Sequence, residues 1–359
     1  MTPPDANLER AMSSQDAILS VRDLLVHFRT EDGTVKAVDG LSFDLARGKT
    51  LGIVGESGSG KSVSSMAILG LHNRKQARIG GQIRFEGTEL AGADERTMRQ
   101  FRGKRISMIF QDPLTALSPY YTVGDQIMET YRKHTGASRK QARARAVEML
   151  TKVGIPQPQR RVDEYPHQFS GGMRQRVMIA IALCCDPDLL IADEPTTALD
   201  VTVQAQILDL LRELQSEFDT AIILITHDMG VVAQMADDVL VMYAGRCVER
   251  GTVREVLKRP RHPYSWGLLS SIPHLGGDVD TPLTPVRGTP PSLIDVPSGC
   301  PFHPRCDYVD RVPDARCTTE RPELGSATGR GAACHLTTEA ADRIFVDTVQ
   351  PTLGIGKAS

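Results

Sequence analysis

The sequence lacks any apolar stretch of the roughly 18–20 residues that would cross a bilayer, so it predicts no membrane-spanning helix. It also lacks excess charge, because 42 Lys and Arg stand against 44 Asp and Glu, for a formal net charge of −2. We therefore expect no nucleic-acid partner. The first residues, Met1–Gln15, are polar and have no apolar signal core. We expect residues 1–17 to form a flexible tail on a cytoplasmic protein.

The composition is that of a folded soluble protein, with 40% hydrophobic and 24% charged residues in a chain of 359, a length typical of two domains. From about Ile18 to Gly251, short aliphatic runs end in polar or glycine-containing turns and alternate with helix-like segments. This alternation predicts an α/β fold whose strands form a buried, largely parallel sheet. The predicted strands include Leu51–Val54, Ile106–Phe110, Leu189–Ala192 and Ile222–Thr226.

A helical pattern interrupts this alternation between about residues 112 and 185, and it predicts a helical subdomain. Its predicted helices are Val123–Thr135, Ser138–Gly154 and Met173–Cys185. After Gly251, repeated prolines break the periodicity. We therefore predict a nucleotide-binding domain over residues 18–259, a small Pro-rich C-terminal domain over residues 260–345 and a tail over residues 346–359.

A glycine-rich segment matches the phosphate-binding pattern G-x-x-x-x-G-K-[ST], and it lies between a predicted strand and a predicted helix, as that pattern requires. Glycines let successive backbone N–H groups turn inward around phosphates, and the helix N-terminus adds positive potential. Lys61 would reach the β- and γ-phosphates, and the Ser62 hydroxyl would ligate Mg²⁺. The predicted ATP-binding residues here are Gly55, Glu56, Ser57, Gly58, Ser59, Gly60, Lys61, Ser62 and Val63.

Two carboxylates end the aliphatic run Leu189–Ala192. Asp193 would hold Mg²⁺ through water, and Glu194, one residue further, would polarise the attacking water. Together with a phosphate-binding loop, this pair predicts hydrolysis of ATP as well as binding.

Further segments resemble the ATP-binding domain of ABC transporters, in the order of that family. Phe169–Arg176 resembles the signature usually written LSGGQ, with Phe and Met in place of Leu and Gln. The resemblance covers Ile18–Gly251 and implies a RecA-like mixed sheet core with an antiparallel β subdomain. The other matching residues are Gln111 of the Q-loop, Ala198, Leu199 and Asp200 of the D-loop, His227 of the switch, and Phe28, which would stack on adenine.

The resemblance implies that two such domains face each other head to tail. Each ATP would lie between the phosphate-binding loop of one domain and the signature of the other. His227 would contact the γ-phosphate and position Glu194, and Gln111 would ligate Mg²⁺ and sense the nucleotide. The residues expected to act across the interface are Ser170, Gly171, Gly172 and Asp200.

Local strings narrow the resemblance to the ATP-binding subunits of oligopeptide and dipeptide importers, a branch that also includes nickel, opine and glutathione importers. They are Phe110–Pro119, Phe169–Arg176, His262–Tyr264 and Cys300–Cys306. The implied partners are a second, non-identical ATPase subunit, two membrane permeases and, indirectly, an extracytoplasmic solute-binding protein. The implied location is the cytoplasmic face of the cell membrane. A soluble ABC ATPase outside transport, an exporter half and a non-hydrolysing subunit are the rival readings.

The last sixth of the chain holds four cysteines spaced C-x5-C-x10-C-x16-C. Four thiolates can bind a [4Fe–4S] cluster or tetrahedral zinc, and labile disulfides or free thiols are the remaining alternative. The resemblance to peptide importers favours [4Fe–4S], which would cross-link and stabilise a Pro-rich segment that lacks a large core. The predicted ligands are Cys300, Cys306, Cys317 and Cys334.

Overall fold

The computed structural model describes residues 17–197, 199–271, 286–324 and 329–353. The strands of this part are β1 (Ala17–Thr30), β2 (Gly33–Ala46), β3 (Thr50–Val54), β4 (Ala77–Phe85), β5 (Thr88–Glu89), β6 (Ile106–Ile109), β7 (Leu189–Asp193), β8 (Ala221–Thr226), β9 (Asp238–Tyr243), β10 (Arg246–Thr252) and β11 (Gly331–Ala332). The α-helices are α1 (Lys61–Ile68), α2 (Glu95–Phe101), α3 (Pro113–Ala116), α4 (Val123–Thr135), α5 (Arg139–Lys152), α6 (Pro158–Arg161), α7 (Gly171–Leu183), α8 (Val201–Phe218), α9 (Met229–Met235), α10 (Val253–Lys258), α11 (Pro263–Ser270), α12 (Arg316–Thr319) and α13 (Thr338–Ile344). None of the helices in these ranges combines the length and apolar character needed to cross a bilayer.

The larger sheet has the strand order β11-β10-β9-β3-β8-β7-β6. Its strands from β9 to β6 are parallel, while β10 and β11 are antiparallel to their neighbours. The aliphatic residues of β3, β7 and β8 are buried on both faces, which explains their continuous hydrophobic runs. Because the carboxyl ends of parallel strands meet at one edge, the segments after β3, β6, β7 and β8 converge there.

A second, antiparallel sheet has the order β2-β1-β4-β5. Its apolar residues share a buried cluster with one side of the larger sheet, in which Val26, Phe43 and Phe85 pack with Ile53 and Ile223. The α/β fold with a mixed sheet and an antiparallel β subdomain is therefore confirmed.

The helical subdomain covers the other side of the larger sheet, and α4, α5 and α7 occupy the three predicted helical segments. The predicted bounds of α4 agree with the structure, whereas the predicted starts of α5 and α7 are off by one and two residues for a local reason. Ser138 caps α5, with its hydroxyl accepting a hydrogen bond from the Gln141 backbone N–H. Ser170 likewise caps α7, so that helix begins at Gly171 rather than Met173.

The C-terminal region packs on the ATPase sheet instead of standing apart from it. Strand β11 extends the larger sheet through β10, and Tyr264, Trp266 and Phe302 are buried in one cluster with Tyr243 of β9. The expectation of a segment without a large core is therefore wrong, because that core is shared. The predicted division at residues 259 and 260 lies between α10 and α11.

The chain remains helical beyond residue 345, where a tail was predicted. A π-helical turn covers Phe345–Val349 and a 3₁₀ turn covers Gln350–Leu353. Phe345 and Val349 are buried against the same shared cluster. Residues 346–353 therefore belong to the folded part, while residues 354–359 and the predicted N-terminal tail up to residue 16 lie outside the described ranges.

Candidate functional site

The phosphate-binding pattern forms the turn between β3 and α1, at the carboxyl edge of the larger sheet. Two of its glycines are required by the close approach of other backbone. A Cβ on Gly55 would lie 2.2 Å from the carbonyl oxygen of Met242. One on Gly60, whose φ is +102°, would lie 2.2 Å from the carbonyl oxygen of Ala37. The loop residues that stay exposed to a ligand are Ser57 and Gly58.

Lys61 begins α1 and is 5% exposed. Its ammonium group donates hydrogen bonds to the carbonyl oxygens of Gly55, at 2.7 Å, and Glu56, at 3.0 Å. Burial lowers the pKa of Lys61, while the nearby carboxylates of Glu194 and Asp193 oppose that shift. The cation is thus held by weak neutral acceptors, which a phosphate can replace at a gain in electrostatic energy.

An oxygen pair suited to Mg²⁺ connects the loop to the end of β7. The Ser62 hydroxyl donates to Asp193 Oδ1 at 2.9 Å. Burial is the largest cause that raises the pKa of Asp193, and the hydrogen bond from Ser62 partly offsets it. Hard oxygen ligands of this kind are those that Mg²⁺ prefers, so these two residues fit the predicted ion.

Glu194 is the centre of a polar cluster formed by the ends of three strands and the turn after β7. Its Oε2 accepts hydrogen bonds from Gln111 Nε2 and Thr197 Oγ1, each at 2.9 Å. Its Oε1 lies 3.4 Å from His227 Nδ1. Glu194 also has a φ of 47°, a backbone conformation that costs energy for a non-glycine residue and is found at active sites. Gln111 was predicted as a Mg²⁺ ligand, and in the structure its side chain is instead hydrogen-bonded to the Glu194 carboxylate.

The remaining residues predicted near ATP occupy different surroundings. Phe28 is half-buried at the end of β1, with its ring edge-on to His72 at 5.3 Å. Ser59 is buried, and its carbonyl oxygen accepts a hydrogen bond from Gly245. Val63 packs on the core of the antiparallel sheet. The adenine-stacking role of Phe28 stays a prediction.

The signature residues lie at the start of α7, where Ser170 and Gly171 are exposed. The Ser170 hydroxyl accepts a hydrogen bond from Met173 N at 3.4 Å. Asp200 caps α8 by accepting a hydrogen bond from Val203 N at 2.9 Å. Gly172 lies close to Val203, whose methyl carbon would be 2.8 Å from a Cβ at that glycine. Ala198, predicted in the D-loop, lies outside the described residues.

Two residues of the C-terminal region, Tyr264 and Arg305, hold the loop at Glu56, and neither was predicted to have a role. The Tyr264 hydroxyl accepts a hydrogen bond from Glu56 N at 2.7 Å. Arg305 donates through both terminal nitrogens to the Glu56 carboxylate, at 2.6 and 3.0 Å. Tyr264 and Arg305 lie in His262–Tyr264 and Cys300–Cys306, two segments that resemble peptide importers, and this resemblance was the only indication of a role in the sequence. Thr197 was missed as well, and its closeness to Glu194 in the chain was the available signal.

The four tail cysteines share one region. Cys300 N donates to the carbonyl oxygen of Cys317, and all three other thiols contribute to the raised pKa of Cys334. Burial is the main cause that raises the pKa of Cys334 to about 12 and those of Cys300 and Cys306 to about 11. Within the described ranges, however, no group of three or more His, Cys, Asp or Glu is arranged to hold a metal ion. The predicted ligands are therefore neighbours without a preformed ion site.

A parallel sheet that brings a phosphate-binding loop, paired carboxylates and a histidine to one edge, with a signature helix beside them, defines an ABC-type ATPase. The family described as "ABC transporter" matches residues 38–197, and "Oligopeptide/dipeptide transporter, C-terminal region" matches residues 248–311. The oligopeptide transport ATP-binding protein OppD of Escherichia coli is 52% identical over 92% of this chain and 96% of its own. The dipeptide transport ATP-binding protein DppD of Bacillus subtilis is 55% identical over 81% and 87%. The chain therefore belongs to the family of ATP-binding proteins of oligopeptide and dipeptide ABC transporters.

Solved structures resemble the ATPase part of the chain. The ATP-binding cassette MJ0796, described as a dimer in a post-hydrolysis state bound to ADP and Pi, matches with a TM-score of 0.59 and 26% identity over 66% of this chain and 99% of that one. The cbiO1 protein from Clostridium perfringens, part of the transporter complex cbiONQ, matches with a TM-score of 0.58 and 30% identity over 68% and 91%.

Proposed function

We propose that this chain binds and hydrolyses ATP as a subunit of an importer that takes up di- and oligopeptides across the cytoplasmic membrane. The observation that carries the proposal is the Glu194 carboxylate, which Gln111, Thr197 and His227 surround beside the Ser62–Asp193 pair. A carboxylate held next to a phosphate-binding loop is suited to polarise an attacking water.

ATP binding replaces the internal contacts of the loop. Lys61 leaves the two carbonyl oxygens for the β- and γ-phosphates, and the exposed amides of Ser57 and Gly58 face the phosphate chain. Ser62 and Asp193, together with Gln111, would hold Mg²⁺, which when bound would supply neutralisation of the phosphate charge. Phe28 packs against the adenine.

Hydrolysis depends on Glu194 and His227. Glu194 exchanges a hydrogen bond from Gln111 or Thr197 for one from water, and it orients that water toward the γ-phosphate. His227 is half-exposed beside the same carboxylate, so it contacts both the γ-phosphate and Glu194. These groups supply positioning and charge stabilisation, which phosphoryl transfer chiefly requires.

A second ATPase subunit completes each site. Ser170, Gly171 and Gly172 begin the 13-residue helix α7 with an exposed, positive helix end, and they bind the γ-phosphate held by the partner subunit. Asp200 lies at the start of α8 and faces the same interface. The structural relative MJ0796 is described as a dimer, which supports this arrangement. We propose that the partner is similar but not identical.

The assembled ATPase pair docks on two membrane permeases at the cytoplasmic face, and the surface around Gln111–Tyr121, with the helical subdomain, receives a coupling helix of one of them. Leu114, Tyr120 and Tyr121 are 63%, 84% and 59% exposed, an apolar content that favours burial by a partner. A solute-binding protein outside the membrane delivers the solute to the permeases. We further propose the division into the nucleotide-binding domain 18–259, with its helical subdomain at about 112–185, and a C-terminal domain that begins at residue 260 and extends past residue 345, since Val349 is buried in its core.

The printed names of the relatives, OppD and DppD, support peptides as the solute. Nickel, opines and glutathione are the alternatives within the same branch. Uptake of labelled di- and oligopeptides, measured beside nickel uptake after deletion of the gene, distinguishes them. A deletion that abolishes nickel uptake and spares peptide uptake contradicts the peptide assignment.

For the cysteine region we propose a [4Fe–4S] cluster on Cys300, Cys306, Cys317 and Cys334. The preference for a cluster over zinc rests on the resemblance to peptide-importer subunits, and the four thiols would have to rearrange and deprotonate to bind either one. Absorbance near 400 nm and iron, zinc and sulfide analysis of anaerobically purified protein test this. Zinc without iron, or neither metal, contradicts it.

The central test is Glu194→Gln in the assembled transporter, with Glu213→Gln on the exposed face of α8 as the matched control. We expect Glu194→Gln to lower ATP turnover by about a hundredfold or more and to retain ATP binding, because the amide cannot accept a proton from water. The control should turn over like the wild type. Unchanged turnover in Glu194→Gln contradicts the assignment.

A further inference from the structure

Glu56, the second residue of the phosphate-binding loop, is attached to the C-terminal region at two points. Its backbone N–H donates to the Tyr264 hydroxyl at 2.7 Å, and its carboxylate pairs with Arg305 at 2.6 and 3.0 Å. Both partners are more than 200 positions away in the chain. The two contacts fix the backbone and the side chain of the same residue, so together they define its position.

Arg305 is a buried cation, since its side chain is 5% exposed. Its Nε donates to the carbonyl oxygen of Arg287 at 2.7 Å and its Nη2 to that of Gly288 at 3.2 Å. These carbonyls satisfy its donors but do not neutralise its charge, and Glu56 supplies the paired carboxylate. Among the residues that the structure describes, Glu56 is the carboxylate that pairs with the Arg305 guanidinium group, so Arg305 holds Glu56 firmly.

On its other side, Glu56 is directly connected to the phosphate-binding lysine. The Glu56 carbonyl oxygen accepts hydrogen bonds from Lys61 Nζ at 3.0 Å and from Ser59 N at 3.3 Å. A displacement of Glu56 therefore moves an acceptor of Lys61 and the turn that carries Ser57 and Gly58. These contacts connect Arg305, through Glu56, to the groups that face the phosphates.

We propose that Arg305 and Tyr264 are positioning residues for ATP binding, which act through Glu56 to hold the phosphate-binding loop in its ligand-accepting shape. Arg305 also keeps the Glu56 carboxylate neutralised, so that it does not repel the triphosphate. The inference rests on the proposed ATPase function and adds that the C-terminal region forms part of the ATP site's support.

The first test uses Arg305→Met, Glu56→Gln and the double variant in the full-length chain. The dissociation constant for Mg·ATP is measured by calorimetry. Each single variant leaves one charge without its partner, and we expect Arg305→Met to weaken ATP binding about tenfold. The double variant removes both charges, so it should bind ATP more tightly than Arg305→Met. Urea unfolding of the same three variants shows whether each is fully folded in the binding assay, so that a loss of affinity is not mistaken for a loss of folded protein.

The second test compares two buried, neighbouring tyrosines. Tyr264→Phe removes the hydroxyl that accepts from Glu56 N, whereas Tyr243→Phe removes a hydroxyl that accepts from Arg305 at 3.4 Å and makes no hydrogen bond to the loop among the described residues. Both rings are retained, so both variants should fold. We expect about fivefold weaker ATP binding for Tyr264→Phe and no more than about twofold for Tyr243→Phe. Equal binding by both variants and the wild type overturns the role of Tyr264.

Turnover separates positioning from chemistry. In the assembled transporter at saturating ATP, we expect Arg305→Met and Tyr264→Phe to keep kcat within about twofold of the wild type while KM rises. The exposed cation Arg311 provides the charge control as Arg311→Met, with KM unchanged. Wild-type ATP affinity in every variant overturns the positioning proposal, whereas a wild-type chain that binds no ATP contradicts the proposed function itself.

Discussion

The phosphate-binding loop and the C-terminal region hold their buried charges in opposite ways. Lys61 is bonded to two neutral carbonyl oxygens, and the nearby carboxylates of Glu194 and Asp193 make no direct ion pair with it in the described part of the chain. Arg305 is bonded to a carboxylate and to several carbonyls that fill its donors. The first arrangement allows an exchange of partners when a phosphate arrives. In the second arrangement the charge of Arg305 is already paired with Glu56, so these contacts persist and keep the loop in place during that exchange.

The largest effect that separates these arrangements is expected from Lys61→Met. We expect kcat/KM for ATP to fall about a thousandfold, roughly 4 kcal/mol, because the charge that meets the phosphates is lost. The unfolding free energy should not fall, since burial disfavours the Lys61 cation in the folded chain. Steady-state hydrolysis by the assembled transporter and urea unfolding of the subunit measure the two quantities.

Arg305→Met, unlike Lys61→Met, should lower the unfolding free energy of the subunit by about 2 kcal/mol. Glu56 keeps some exposure to water, which reduces the cost of breaking the pair. The exposed Lys75→Ala serves as the control for Lys61 and should change neither quantity. Equal losses of stability in Lys61→Met and Arg305→Met would remove the distinction between the two regions.

The sequence predicted the nucleotide side of this comparison well because its signals are local. A strand, a glycine turn and a helix follow one another within a few residues, so the pattern itself specifies the geometry. Parallel strands then bring Gln111, Glu194 and His227 to one edge, as that topology requires. The caps at Ser138 and Ser170 were not predicted, and they set the observed helix starts at Arg139 and Gly171 instead of the predicted Ser138 and Met173.

The C-terminal side was predicted poorly because its contacts join distant parts of the chain. Prolines and cysteine spacing indicated a small stapled segment, yet its core is shared with β9 and β10. Nothing local to Arg305 shows that its partner is Glu56, 249 positions away. The tail predicted from residue 346 failed similarly, since Val349 is buried by residues that periodicity alone does not connect to it.

A pH-dependent effect tests whether β10 joins the two regions through a buried acid. Glu249 is 1% exposed and accepts backbone hydrogen bonds from Arg261 and His262, which precede α11. Burial raises its pKa from 4.5 to about 7. Between these values the folded chain keeps a proton that the unfolded chain has lost, so stability is full below pH 4.5 and falls as pH rises to about 7 and above.

We expect Glu249→Gln to remove this dependence, because the amide carries no charge and does not titrate. At pH 8 the variant should be more stable than the wild type by on the order of 3 kcal/mol, and at pH 4.5 the two should be similar. Urea unfolding at pH 4.5, 6, 7 and 8 measures this, with the exposed Glu323→Gln as the control. Parallel pH profiles for Glu249→Gln and the wild type would contradict the prediction.

The smallest expected effects come from two helix caps, one in each region. Asp200 accepts a hydrogen bond from Val203 N at the start of α8, and Thr337 accepts one from Ala340 N at the start of α13. Alanine at either position should lower the unfolding free energy by about 1 kcal/mol, since each loses one cap. The two variants are thus matched in stability and differ in the region they affect.

Hydrolysis should then distinguish the matched caps. Thr337→Ala should hydrolyse ATP in the assembled transporter like the wild type, because Thr337 is exposed and its described hydrogen bond stays within the first turn of α13. Asp200→Ala should lose about tenfold if Asp200 acts across the subunit interface. Asp200→Asn keeps a capping oxygen and removes the charge. Wild-type stability with reduced hydrolysis in Asp200→Asn assigns the effect to that charge, whereas wild-type hydrolysis leaves Asp200 as a cap and restricts the trans site to the signature residues.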